Sequence, residues 1–210
     1  LKQMVKKERL TFIFEHETDS FNRWEAGRQL CDDALLSMIS NNSAADEMYL
    51  SSLKKLIDDD TIDPAFRALT LTLPSQDEVT QKCLDNGIAP DPLVIHQSVE
   101  ALNLAISNYL KTSLENIYEK YVVAKEYIPD AVQSASRALR NKALFFLAYQ
   151  DGGELAKLQV QEALNMTDQL SAFSTLIKHN PTSESINFFY NQWKHERLVI
   201  DKWFSAQVIM

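Results

Sequence analysis

Along most of this chain, apolar side chains recur every three or four positions, the spacing that lines one face of an α-helix. Phe21, Trp24, Cys31, Leu35 and Met38 mark one such face. Asp19 and Ser20 stand before it, and either can accept the free backbone N–H groups of a first turn. The first forty residues thus read as two helices, broken at Asn41-Asn42-Ser43. Ala44 to Ile57 forms the next amphipathic run, through Met48, Leu53 and Leu56. Asp63-Pro64 and Asp91-Pro92 share one start signal: Asp caps the helix, and Pro fills the first helical position, where its missing donor costs nothing. Ser75 and Glu78, just after Pro74, have the spacing of a capping box.

The stripe Ile95, Val99, Leu102, Ile106, Tyr109, Ser113, Ile117 predicts the longest helix, from Pro92 to about Lys120. Pro129-Asp130 opens another, carrying Ala135, Leu139, Ala143 and Phe146 and ended by Asp151-Gly152-Gly153. Three further helical segments follow, divided near Asn165 and at Asn180-Pro181. Leu69-Thr70-Leu71-Thr72-Leu73 alternates as a strand would, but it is short and abuts a helix start, so no strand is predicted. Roughly ten helices with short turns suit either a bundle or a layer of stacked pairs. Periodicity does not choose between them, and no repeating signature is visible.

Composition narrows the function classes. The 210 residues are 45% hydrophobic and 24% charged, ordinary for a globular chain long enough to bury a core. Four glycines and six prolines are few, which favours helix over turn-rich sheet. A net charge of -8 argues against nucleic acid as a partner. Two cysteines, Cys31 and Cys83, make neither a disulfide framework nor a zinc knuckle and fit a reducing, cytoplasmic setting. No apolar run has the length of a membrane span, and no signal peptide is evident. The start at Leu1 and the apolar end Val208-Ile209-Met210 read as those of an excised piece.

The chemistry-bearing residues fail the usual tests. His16-Glu17 begins like a zincin motif, but Ser20 stands where the second His must fall, and Val199 does the same after His195-Glu196. Two imidazoles one turn apart are needed to hold one ion. No nucleophile elbow is present, and four glycines exclude a phosphate-cradling loop. Trp24, Trp193 and Trp203, with Phe188, Phe189 and Phe204, read as core aromatics or as a ligand cluster. Arg137 and Arg140, one helical step apart, could clamp a peptide carboxylate or bind helix ends nearby.

Five phrases carry a resemblance. They are Asp19-Ser20-Phe21-Asn22-Arg23-Trp24-Glu25-Ala26; Leu71-Thr72-Leu73-Pro74-Ser75 with Asp91-Pro92 and Ile95-His96; Leu139-Arg140-Asn141; Asn165-Met166-Thr167-Asp168 with Leu170 and Ala172; and Val199-Ile200-Asp201-Lys202-Trp203-Phe204. In this order the chain resembles the C-terminal helical domain of bacterial-type aminopeptidase N, a zinc metallopeptidase family. The family's H-E-x-x-H and G-x-M-E-N motifs are not in these residues.

The resemblance implies an all-α, armadillo/HEAT-like superhelix of stacked helical pairs, with residues 1–210 as a single domain cut from a larger aminopeptidase. It implies a non-catalytic cap that encloses the active-site chamber of an enzyme removing N-terminal residues from peptides. The zinc, its ligands and the catalytic residues then belong to the zinc domain of the same polypeptide. In this chain no catalytic residue, metal ligand or cofactor is expected, substrate-binding residues stay unassigned, and the fragment alone is expected to be inactive. The expected partners are that zinc domain and peptide substrates, with no nucleic acid and no membrane. The alternative is a free-standing helical-repeat scaffold binding another protein. Asp201-Lys202-Trp203-Phe204 reads as structural, with Trp203 anchoring the final helix and Asp201 or Lys202 satisfying a neighbouring helix end.

Overall fold

The structure, a computed structural model, describes residues 2–123 and 126–209, and leaves out the side chains of residues 2–5, 183 and 209. Leu1 and Met210, on which the reading of an excised piece partly rests, lie outside the described residues. Among those described, twelve α-helices and no strand are found: α1 Lys2–His16, α2 Ser20–Asn41, α3 Glu47–Asp58, α4 Pro64–Thr70, α5 Gln76–Asp85, α6 Pro92–Tyr109, α7 Lys111–Lys120, α8 Ala131–Asp151, α9 Glu154–Glu162, α10 Met166–His179, α11 Ser183–Trp193 and α12 Arg197–Ile209. Leu69 to Leu73 closes α4 and leads to the next helix, as the helix start beside it required. None of the described helices is long and apolar enough to cross a membrane.

The start signals act as their chemistry dictates. Asp19, Asp46, Asp63, Asp91 and Asp130 each accept backbone N–H bonds at the head of α2, α3, α4, α6 and α8. Pro64 and Pro92 occupy the first turn, and Ser75 with Glu78 forms a reciprocal capping box on α5. Asn42 closes α2 and Gly152 closes α8, both in the left-handed region, at φ 50° and 66°.

Two expectations are corrected. The helix from Pro92 does not run unbroken to Lys120. Leu110 leaves helical geometry at φ -99° and ψ 9°, though its N–H still bonds the Ile106 carbonyl. Around the break Leu110 and Leu114 are fully buried, Ser113 and Ile117 of the predicted stripe stay inside, and Tyr109 turns outward at 40% exposure. The longest helix is instead α2, with 22 residues. The last stretch also divides once more than predicted. At Trp193–Arg197 the Glu196 N–H bonds the Trp193 carbonyl at 2.8 Å, and the Glu196 carbonyl then receives Val199 and Ile200. Neither break contains Gly or Pro, so no punctuating residue marked it.

Contacts divide the chain into two compact units, residues 1–113 and 114–210. The first packs α1, α3, α5 and α6 around α2, with Phe14, Leu30, Leu35, Leu53, Leu56, Ile57, Leu102 and Ile106 buried. Its internal corners are tied by side chains. Arg23 donates to the Phe14 and Glu15 carbonyls at the end of α1, both at 2.8 Å. Arg67, only 2% exposed, reaches the Ile57 carbonyl and the Asp60 carboxylate. Burial pushes the Glu15 carboxyl up, but hydrogen bonds from Lys55 and Ser52 outweigh it and hold the group below the ordinary carboxylate range. The second unit packs α8, α9 and α10 together, with α11 and α12 against α10. Its core joins Leu144, Ala156, Val160, Phe173, Leu176, Ile177 and Phe189, and Phe173 stacks on Phe189 at 4.4 Å between ring centres.

Candidate functional site

The residues with the most conspicuous chemistry are placed for architecture. His16 is exposed and touches Phe12, while Glu17 turns back to accept the Thr18 and Asp19 N–H groups at 2.8 and 3.2 Å. His195 and Glu196 are exposed in the turn before α12. Among the described residues no three His, Cys, Asp or Glu side chains gather as a metal ion would need. Both cysteines are buried and free, and burial pushes the Cys31 thiol up to about 12, far from thiolate chemistry.

Both arginines of the candidate clamp are engaged within the fold. Arg140 lies 4.1 Å over the Tyr118 ring and donates Nε to the Tyr118 carbonyl at 3.2 Å, in the last turn of α7. That carbonyl is one of the acceptors a helix end leaves unpaired, and a cation there also suits the negative end of the helix dipole. Arg137 is 2% exposed beneath the Tyr127 ring and spends its guanidinium on Gln133, Ser134 and the Ile128 carbonyl.

The aromatic residues divide. Phe189 is core, Phe188 and Phe204 are 43% and 58% exposed, and Trp193 and Trp203 pack on the edge of the second unit's core. Trp24 belongs to the first unit, where it lies against Phe21. Trp203 donates Nε1 to the Ile186 carbonyl of α11 at 3.2 Å, as an anchor for the last helix should. Asp201 and Lys202, by contrast, are exposed, and among the described residues no neighbouring helix end uses either side chain. Replacing Trp203 with Ala should cost about 2–4 kcal/mol, somewhat below the figure for a fully buried large aromatic. Urea unfolding followed by circular dichroism measures it.

What the structure brings together is a buried polar network that periodicity did not announce. Asp168 stands at the third position of α10, capped by Asn165: the Asp168 N–H donates to Asn165 Oδ1 at 2.9 Å, and Asn165 Nδ2 returns a bond to Asp168 Oδ2 at 2.8 Å. From α8, Asn141 Nδ2 donates to the other carboxylate oxygen at 2.8 Å. Gln159 of α9 bridges the pair, giving Nε2 to Asn141 Oδ1 and to the Asp168 carbonyl, and it receives the Tyr118 hydroxyl at 2.9 Å. Next along α10, Gln169 donates to the Val160 carbonyl and receives Trp193 Nε1, both at 2.9 Å. Two of the phrases, Leu139-Arg140-Asn141 and Asn165-Met166-Thr167-Asp168, therefore meet at one buried carboxylate. Asp19 and Arg23 of the first phrase likewise make the corner between α1 and α2. Asn141 and Asp168 were visible in the sequence as motif residues. Gln159, Gln169 and Tyr118 were not, because a lone amide or phenol on a helix face gives no signal of its partners.

A family model described as a domain of unknown function, DUF3458_C, ARM repeats, matches residues 7–210. The chain belongs to this family. The all-α, armadillo-like class expected of the chain is thereby the class it has. This ARM-repeat chain is also similar to aminopeptidase N of Caulobacter vibrioides, 32% identical over 202 residues that make up 93% of this chain and 23% of that protein. Aminopeptidase N of Escherichia coli is 31% identical over 210 residues, 95% of this chain and 24% of its own. The ARM-repeat chain thus spans about a quarter of the length of the curated relatives it matches. Among solved structures it is similar to Legionella pneumophila aminopeptidase A, crystallised in complex with aspartic acid, at a TM-score of 0.79 and 24% identity, covering 96% of this chain and 25% of that one.

Proposed function

We propose that this ARM-repeat chain is the non-catalytic C-terminal capping domain of a zinc-dependent aminopeptidase N, an enzyme that removes N-terminal residues from peptides. The observation that carries the proposal is the similarity to two aminopeptidases N along nearly all of this chain but only a quarter of theirs. On this reading the zinc and its ligands belong to the remainder of the polypeptide. The domain contributes a wall. It narrows access to the active-site chamber, so that flexible peptides enter and folded proteins do not, and it limits water around the bound substrate. The network around Asp168 supports this role, because it spends polar side chains on joining four helices rather than on a ligand.

The test uses the full-length polypeptide and the isolated chain. The full-length protein should hold zinc after dialysis and release aniline from an alanyl anilide, whereas the isolated chain should do neither. Stoichiometric zinc in the isolated chain, or turnover that survives its further purification, would overturn the proposal.

A further inference from the structure

The segment between α7 and α8 carries an arrangement that neither the fold nor the proposed cap explains. Tyr127, Ile128 and Val132 are 49%, 50% and 75% exposed, three large apolar side chains within six residues of chain. Exposed apolar residues occur singly on any protein, and three together would ordinarily fold inward or be replaced. Here two buried polar residues of α8 hold the backbone so that Tyr127 and Ile128 face out, beside Val132 in the first turn of α8. Gln133, 9% exposed, receives the Ile128 N–H at Oε1 (3.0 Å) and donates Nε2 to the Glu126 carbonyl at 3.1 Å. Arg137 donates to Gln133 Oε1 at 3.0 Å and reaches the Ile128 carbonyl at 3.5 Å, with its guanidinium 4.7 Å under the Tyr127 ring. Asp130 then starts α8 by accepting the Gln133 N–H at 2.7 Å.

This support is costly. Among the described residues no carboxylate pairs with Arg137, and its buried Nε has no acceptor. Burying a cation on neutral acceptors alone is unfavourable. The return is a defined backbone: the oxygen and the nitrogen of the Gln133 amide, with the Arg137 guanidinium, tie down the loop at Glu126 and Ile128. Preorganisation of that kind lowers the ordering cost of binding.

We propose that Tyr127, Ile128 and Val132 form a preset apolar knob that seats in a concave surface of the remaining part of the same polypeptide. The inference rests on the reading of the chain as one domain of an aminopeptidase. The occupant follows from length, since about three quarters of each matched aminopeptidase N lies outside the region this chain matches. Contacts between domains of one chain commonly bury about 600–1,500 Å², and an aromatic and two aliphatic side chains suit the anchor at the centre of such a contact.

Hydroxyl-radical footprinting of the full-length polypeptide tests it. In the native protein Tyr127 and Ile128 should be modified several-fold more slowly than their half-exposed state in this domain would allow. The double variant Ile128→Ser with Val132→Ser should raise Tyr127 modification several-fold, while Phe173 and Phe189 stay protected and so report an intact domain. Tyr127 and Ile128 reacting in the native full-length protein as freely as exposed side chains would overturn the proposal. Protection that appears only at concentrations where the polypeptide dimerises would overturn it as well, by assigning the knob to a second copy. Alanyl anilide turnover by the same preparation reports on the parent reading separately, so an active enzyme with an exposed Tyr127 defeats the knob alone.

Discussion

Replacing Asp168 with Ala should destabilise residues 114–210 by about 3–5 kcal/mol, through the donors it leaves behind rather than the volume it removes. Asn141 Nδ2 and Asn165 Nδ2 each give that carboxylate a 2.8 Å bond, and Asn141 is itself buried. A buried donor left unsatisfied costs about 1–3 kcal/mol. The carboxylate also sits in the first turn of α10, where a negative charge at the positive end of the helix dipole is worth about 0.3–1 kcal/mol. The total is a large share of the ~5–15 kcal/mol by which domains are stable. Asp168→Asn should fall between wild type and Asp168→Ala. Its one oxygen can serve Asn141 or Asn165, and its NH2 then faces the NH2 of the other. Denaturation followed through Trp193 and Trp203 measures both. A loss under about 1 kcal/mol for Asp168→Ala, the size of an ordinary surface effect, would contradict the network's role.

The second large effect is expected at Gly27, in the first unit. A Cβ built there would lie 2.4 Å from Cε2 of Phe14 and 2.7 Å from Cδ2, and the Phe14 ring is 1% exposed. Gly27→Ala sets an overpacking cost of about 1–3 kcal/mol against a helix-propensity gain of about 1 kcal/mol, so the net change is a modest destabilisation. Gly27→Val should cost about 3 kcal/mol or more, since two γ-methyl groups enter the same space and a β-branched residue gains less in a helix. Phe14→Leu should relieve Gly27→Ala while costing stability on its own, and the coupling in that double-mutant cycle is the quantity to measure. Independent, additive effects would mean that α1 and α2 do not meet at this point. No feature of the sequence singles Gly27 out. Its φ is helical, and only the approach of a ring from another helix makes the missing Cβ necessary.

The same contrast runs through the candidate site. The phrases that carried the resemblance were legible as words, but their physical meaning was not. Asp19, Ser75 and Asp91 could be read as caps because a cap acts on N–H groups two or three residues away. Asn141 and Asp168 are 27 residues apart, and Gln159 reaches both from a third helix. A side chain's partner at that separation is set by how α8, α9 and α10 pack. Arg137 and Arg140 show the limit from the other side. Helical spacing puts them near one another as a clamp requires, yet one lies beneath Tyr127 and the other over Tyr118.

By itself the sequence determined the helical class, most helix starts and ends, and the lack of a zinc motif or nucleophile elbow, since each depends on residue types within one or two turns of chain. The tertiary structure decided where the long pattern from Pro92 breaks, at Leu110, a position that no Gly or Pro marks. It decided which polar groups are buried together at Asp168, and that Gly27 faces a ring. It also decided that Gln133 and Arg137 hold Tyr127 and Ile128 outward. In each case the deciding contact joins residues on different elements, and their meeting is a property of packing that no single helix carries.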